Sequence, residues 1–230
     1  MKIKQKIVPA AKYALKCPYN MNAEYITVHN TYNDASAMNE VKYMISNNNS
    51  TSFHVAVDDI EAVQGIPFNR NAWHAGDSNG NGNRKSIGIE ICYSKSGGER
   101  YKKAEENAVI LITQMLKERG WGIERVKQHY DWSKKNCPHR IRDEKRWDSF
   151  LNRIKAEMNK KVEINKGDNE MLKFSSNTFK NEMVTFLENA HKRGLLSSHS
   201  WINQAKEGKL SKDDAISLIV TIMNRSEESK

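Results

Sequence analysis

The chain has 230 residues, of which 38% are hydrophobic and 28% charged, with a formal net charge of +9. That balance excludes wholesale disorder, and no apolar run approaches the roughly 18–20 residues that a membrane-spanning helix needs. The length admits one well-buried domain of about 150 residues plus a smaller one, and the charge points to a polyanionic partner: nucleic acid, a membrane surface or an anionic cell wall.

The first segment, "MKIKQKIVPAAKYALK", is basic, but lysines interrupt its apolar positions. It does not read as a secretory signal, so the chain is expected to be made and folded in a cytosol. "AEYITVHNT" predicts a buried strand, because β-branched and aromatic residues cluster before a polar turn. "NEVKYMISNNN" predicts a short helix that ends in asparagines, and "SFHVAVDDIEAVQGIP" a hairpin that breaks at Asp58-Asp59. "GDSNGNGNRKS", residues 76–86, predicts a flexible loop. In "SIGIEICY", alternation puts Ile87, Ile89 and Ile91 on one face of a strand, with Gly88, Glu90 and Cys92 on the other.

"YKKAEENAVILITQMLKERG" has helical periodicity and stops at Gly120; "IERVKQH" suits a further strand. Pro138 fits the first turn of a short helix after Cys137, and "EKRWDSFLNRIKAEM" closes the domain as an amphipathic helix. Strands interleaved with helices imply an α/β fold, a sheet covered by helices. Residues 159–168, "NKKVEINKGD", read as a linker between a domain at 1–158 and an all-helical one at 169–230. There Phe179, Met183, Phe186, Leu187 and Ala190 predict one apolar stripe ended by Gly194. "SWINQAKEG" predicts a second helix, and "SKDDAISLIVTIM" a third, opened by a Ser211–Asp214 capping box. All three are expected to be short.

The cysteines Cys17, Cys92 and Cys137 are odd in number and widely spaced, which favours free thiols or a metal ligand over a disulfide framework. In "KQHYDWSKKNCPHR" a loop separates His129 from Cys137, so both could reach one ion. Catalytic zinc takes three protein ligands and keeps a fourth position for water, and His29, at the end of the first strong strand, is the best third. Alone, a His-x7-Cys pair is a weak pattern whose competing reading is a surface histidine and an inert thiol. Glu90 strengthens it, because a carboxylate in a strand buried on both sides is costly unless it is paired or has a task. Either a salt bridge or a general base beside the metal answers that cost.

Taken together, "YITVHNT", "SFHVAVDD", "IGIEIC" and "HYDWSKKNCPHR" resemble the zinc-dependent type 2 N-acetylmuramoyl-L-alanine amidases. That family also includes phage lysozyme-type amidases, prophage endolysins and peptidoglycan recognition proteins. The likeness is greatest to the endolysins and covers roughly residues 1–158. The resemblance implies a central mixed sheet with flanking helices, and Zn2+ held by His29, His129 and Cys137. It also implies Glu90 as the catalytic carboxylate, Lys135 as an oxyanion stabiliser and peptidoglycan as the substrate. Cys137 is then expected as a thiolate, favoured by the metal and nearby lysines. Some relatives carry a tyrosine near the metal where Phe53 stands here. Phenylalanine donates no hydrogen bond, so His54 or Lys135 takes that part, or Glu90 makes it unnecessary.

Trp73 and His74 in "NAWHAGD" are candidates to line a glycan cleft, with a tryptophan packed under the loop as the alternative. Phe53 and His54 are further substrate-side candidates. Cys92 reads as core filling, and Cys17 has no evident role. The function expected is that of an endolysin, against a host autolysin of the same activity or a non-catalytic peptidoglycan-binding module. Recognition proteins of this fold that lose catalysis typically lose the cysteine, and Cys137 is present. A nucleic-acid partner lacks support, since the chain has no zinc-finger spacing or glycine-rich phosphate loop, and membrane insertion is not expected. The helical tail is expected to bind the cell wall, or to pair with a copy of itself. The enzyme is expected to act on the wall after release.

Overall fold

The structure is a computed structural model that describes residues 1–160, 172 and 176–228, without the side chains of residues 213, 227 and 228. It divides into two compact units, Met1–Lys161 and Val162–Lys230. Residues 161–168 of the expected linker lie outside the described residues.

The first unit runs β1 (Ile3–Gln5), α1 (Tyr13–Lys16), β2 (Tyr25–Asn30), α2 (Ala37–Ser46), β3 (Val55–Val57) and β4 (Ala62–Gln64). It continues through α3 (Asn81–Lys85), β5 (Ser86–Ile91), α4 (Gly98–Arg119), β6 (Val126–Gln128), α5 (His129–Ser133), α6 (His139–Asp143) and α7 (Trp147–Asn159). The strands form one mixed sheet in the order β1-β4-β3-β5-β2-β6. Only β3 and β4 pair antiparallel; the other neighbours are parallel. This is the α/β architecture expected from the interleaved strands and helices, and the hairpin turns at Asp58-Asp59. There Asp58 Oδ1 accepts from the backbone N–H groups of Ile60 and Glu61 at 2.8 and 2.7 Å.

The register sorts the side chains. Ile26 pairs with Ile87 and Val28 with Ile89 on one face, while Thr27 pairs with Gly88 and His29 with Glu90 on the other. Adjacent parallel strands present paired residues to the same side, so all four chemistry-bearing positions share one face. Helix α2 packs over β3 and β4, α4 over β3 and β5, and α7 against α4. Lys12 ties α1 to the end of α2, its Nζ donating to the Ile45, Ser46 and Asn47 carbonyls at 2.7, 2.9 and 3.2 Å. A cation at a helix C-terminus suits both the orphan carbonyls and the helix dipole. Cys17 and Cys92 are fully buried in the core with free thiols, which fits Cys92 as filling.

The expectation of a flexible 76–86 loop is overturned. Residues 81–85 form α3, and Asp77 accepts from the N–H groups of Gly82 and Asn83 at 2.7 and 3.0 Å. Asn83 Oδ1 in turn accepts from His74 and Ala75, both at 2.8 Å. The asparagines and glycines that read as disorder supply the polar groups and tight turns of an ordered strap.

The second unit contains α8 (Asn177–Lys192), α9 (Ser200–Glu207) and α10 (Lys212–Glu228). Helices α8 and α10 span 16 and 17 residues, longer than expected. Ser211 Oγ accepts from the Asp214 N–H at 3.0 Å and donates to its carboxylate at 2.6 Å, in keeping with the expected cap. The predicted stripe is rotated: Leu187 and Ala190 are buried with Ile202, Leu210 and Leu218, but Phe179 is 58% and Phe186 38% exposed. Among the described residues, no helix is long and apolar enough to cross a membrane.

Candidate metal centre

The site forms where β2, β5 and β6 end, the position at which parallel strands commonly open onto a ligand crevice. His29 is the fifth residue of β2, Glu90 the fifth of β5, and His129 follows β6 as the first residue of α5. Helix α5 begins with a reciprocal cap in which Asp131 accepts from the Gln128 N–H at 2.9 Å. Lys134 ends the helix in the left-handed region, φ 63°. The chain then doubles back, and the Tyr130 N–H donates to the Cys137 carbonyl at 3.1 Å. That return brings Cys137 beside His29, although the two are distant in sequence.

Ligand atoms of His29, His129 and Cys137 all lie within 4.8 Å of one another, and all three residues are buried. His29 Nδ1 stands 3.1 Å from His129 Nδ1 and 3.6 Å from Cys137 Sγ. Burial, then the charges that His74 and His129 carry when protonated, holds His29 well below the usual histidine range. Burial, with the Lys135 charge, holds His129 at about 4. Both imidazoles are therefore neutral near pH 7 and have lone pairs to offer a cation. The thiol behaves differently: burial, then the charge of Glu90, pushes Cys137 up to about 12. The nearby lysines do not by themselves make it a thiolate; a cation between the two histidines would supply the further stabilisation that the expected thiolate needs. Two nitrogen donors and one sulfur, converging at this spacing, fit a borderline-soft divalent metal.

Glu90 borders the same space. It is half-buried, yet its Oε2 is withdrawn from solvent with no hydrogen-bond partner, and it forms no ion pair among the described residues. The salt-bridge reading of its burial is thereby set aside. Burial, then the Glu40 charge, raises it to about 8 against the lowering effect of Lys135. Lys135 is exposed, and its charge acts on His29, His129, Glu90 and Cys137 alike.

The other candidates stand elsewhere. Phe53 is packed in the hydrophobic core, which removes it from the substrate side. His54 is fully buried with both ring nitrogens engaged: Nδ1 accepts from the Gly88 N–H and Nε2 donates to the Arg70 carbonyl, each at 2.9 Å. It therefore has neither a proton nor a lone pair left for the tyrosine's part. Trp73 is half-buried and packs edge-on against Tyr19, with ring centroids 6.0 Å apart. His74 is buried behind His29 rather than in a cleft, its Nδ1 2.9 Å from His29 Nε2. Sequence reasoning did not find the His29–His74 contact or the approach of Glu40 to Glu90. No spacing rule links residues so far apart in the chain.

A mixed α/β sheet with two imidazoles, a thiol and an unpaired glutamate at its strand ends defines a protein with a candidate metal centre. Comparison with known proteins is consistent with that arrangement: the chain belongs to the N-acetylmuramoyl-L-alanine amidase family, whose model matches residues 19–140. It is 62% identical over 165 residues to N-acetylmuramoyl-L-alanine amidase XlyB of Bacillus subtilis (strain 168), covering 71% of this chain and 52% of that protein. To amidase CwlA of the same organism it is 62% identical over 161 residues, covering 70% of this chain and 59% of that one. The chain thus spans somewhat over half the length of these curated relatives. Among solved structures, PlyL is 59% identical with a TM-score of 0.66, the match covering 67% of this chain and 97% of that one. The PlyG catalytic domain is 58% identical with a TM-score of 0.66, covering 69% and 96%. Helices α8–α10 lie beyond the family match.

Proposed function

We propose that this chain hydrolyses the amide between the lactyl group of N-acetylmuramic acid and L-alanine in peptidoglycan, with one zinc ion held by His29, His129 and Cys137. The observation that carries the reading is the convergence of ligand atoms of His29, His129 and Cys137 within 4.8 Å, at the sheet face that also bears Glu90. Bound there, zinc supplies Lewis acidity that polarises the amide carbonyl and makes a water molecule acidic near neutral pH. Glu90 takes the proton from that water and delivers it to the departing amine. Burial holds the Glu90 carboxyl up at about 8 without metal, and the charge of a bound zinc ion would favour the carboxylate that can accept. The Lys135 ammonium offsets the negative charge that develops on the carbonyl oxygen.

Metal analysis should find one zinc per chain, strongly reduced in Cys137→Ser; unchanged occupancy in that variant removes the ligand assignment. Digestion of purified walls should release free N-terminal L-alanine without new reducing ends. Reducing ends appearing instead would make the enzyme a glycosidase.

The names of the relatives support the reaction but not its biological setting. Release of a host wall from within, as an endolysin, is our preferred setting, with a host autolysin as the alternative. We assign 169–230 to wall anchoring, since tethering raises the local concentration of enzyme on an insoluble substrate. Removing that segment should spare hydrolysis of soluble muropeptides and weaken attachment to walls. A tail fragment that self-associates and fails to sediment with walls would replace anchoring by a homodimer.

A further inference from the structure

Behind His29 lies a hydrogen-bonded chain that contributes no ligand atom to the site. His74 Nε2 is 3.2 Å from the Ser86 carbonyl, and His74 Nδ1 is 2.9 Å from His29 Nε2. A carbonyl oxygen can only accept, so His74 must carry its proton on Nε2. A neutral ring has one N–H, so His74 Nδ1 is bare and must accept. The proton it accepts is the one on His29 Nε2. His29 Nδ1 is therefore left with its lone pair, aimed at His129 Nδ1, 3.1 Å away, and Cys137 Sγ. The ring planes of His29 and His74 meet at 89°, an edge-on contact that directs one N–H at the other ring.

The surroundings hold His74 in that orientation. A Cβ on Gly88 would lie 2.8 Å from the His74 ring, so the bare strand backbone leaves the room in which the ring stands. The His74 N–H is fixed by Asn83 Oδ1, and Ser86 by its own Oγ, which donates to the Gly82 carbonyl at 2.7 Å. Thus the 76–86 strap, β5 and β2 all converge on one tautomer of one ligand.

We infer that His74 is a positioning residue for the metal centre, fixing His29 as the Nε2–H tautomer with Nδ1 presented to the ion. This rests on the proposed metal centre but concerns a residue that touches neither ion nor substrate. Partners of this type commonly govern about 10–100-fold in metal affinity.

Two measurements on the full chain test it. Long-range 15N–1H correlation spectra of the chelator-treated wild type should find His29 and His74 both protonated on Nε2. A proton on His29 Nδ1 overturns the inference. Competition with a chromophoric chelator should find zinc bound about 10–100-fold more weakly by His74→Phe, which fills the space without accepting. His74→Gln, which can accept from His29 and donate to Ser86, should recover affinity to within about threefold of wild type on the same scale. Wild-type affinity in the phenylalanine variant, or equal loss in both variants, sinks the idea. Should His74→Phe not fold, the wild-type tautomer and the glutamine variant decide. A wild type that takes up no zinc would refute the metal centre itself, while the tautomer spectrum still judges His74.

Discussion

Glu105 and Glu90 of the first unit both have a carboxylate oxygen withdrawn from solvent and are treated in opposite ways. Glu105 on α4, 3% exposed, is met by the Arg146 guanidinium through three hydrogen bonds of 2.8, 3.1 and 3.1 Å, and by Arg153. Glu90 on β5 has an oxygen with no partner at all. The first carboxylate is paired in the way buried charges ordinarily are, holding α4 to the segment that leads into α7. The second bears an uncompensated cost, and such a cost persists at positions that act on something outside the chain. Burial alone thus does not mark function; burial without a partner, beside other convergent groups, does.

The comparison breaks most visibly at Glu90. Glu90→Ala should keep the fold and the metal yet lose about 10²- to 10⁴-fold in turnover, the usual contribution of a general base. Near-normal turnover in that variant would leave the unpaired carboxylate without a task. Glu105→Ala should do the reverse. It leaves two guanidiniums without their shared acceptor, but both are about a third exposed and can rehydrate, so the loss is about 2–3 kcal/mol of stability rather than the full cost of a broken buried pair. Activity per folded molecule should stay unchanged, as read by turnover normalised to the native fraction. A drop in that quantity would mean the Glu105 network reaches the site.

The same contrast explains what was legible in the sequence. Alternation in "SIGIEICY" placed Glu90 on the strand face opposite the isoleucines, and "YITVHN" carries His29 next to its end, because a strand's period of two can be read locally. Glu105 looks like any other charge on an amphipathic helix, and its arginines lie 41 and 48 residues away, so nothing local announces the pairing. His74 was legible as a chemistry-bearing residue but not as the partner of His29, since that depends on the register of β2 against β5. The 76–86 strap was misread because asparagine and glycine are enriched in loose and in tightly bonded loops alike. Phe179 and Phe186 show the limit of helical periodicity: Leu187 and Ala190 lie on the buried side, and which flank of a broad stripe joins them is decided by α9 and α10.

The smallest effect is one of sign. Glu90 is held at about 8 in the folded chain, against about 4.3 for a glutamate in an unfolded one. Between those values the folded state keeps a proton that the unfolded state releases, so stability falls as pH rises through the window. Below about pH 4 both states are protonated and the penalty vanishes; above about pH 8 both are ionised and it stops growing. Glutamine does not titrate, so Glu90→Gln should be the more stable protein once metal is removed. Its advantage should open between about pH 5 and 8 and reach about 1–2 kcal/mol at neutral pH, less than the full shift implies because the residue is half-buried. Denaturant unfolding of both chelator-treated proteins by near-UV circular dichroism, at pH 4.5, 6 and 7.5, reads this directly. Returning zinc should close the gap, because a nearby dication favours the carboxylate over the acid. A gap that is flat with pH would place the origin of Glu90's cost outside its ionisation, and the contrast with Glu105 would then rest on packing rather than charge.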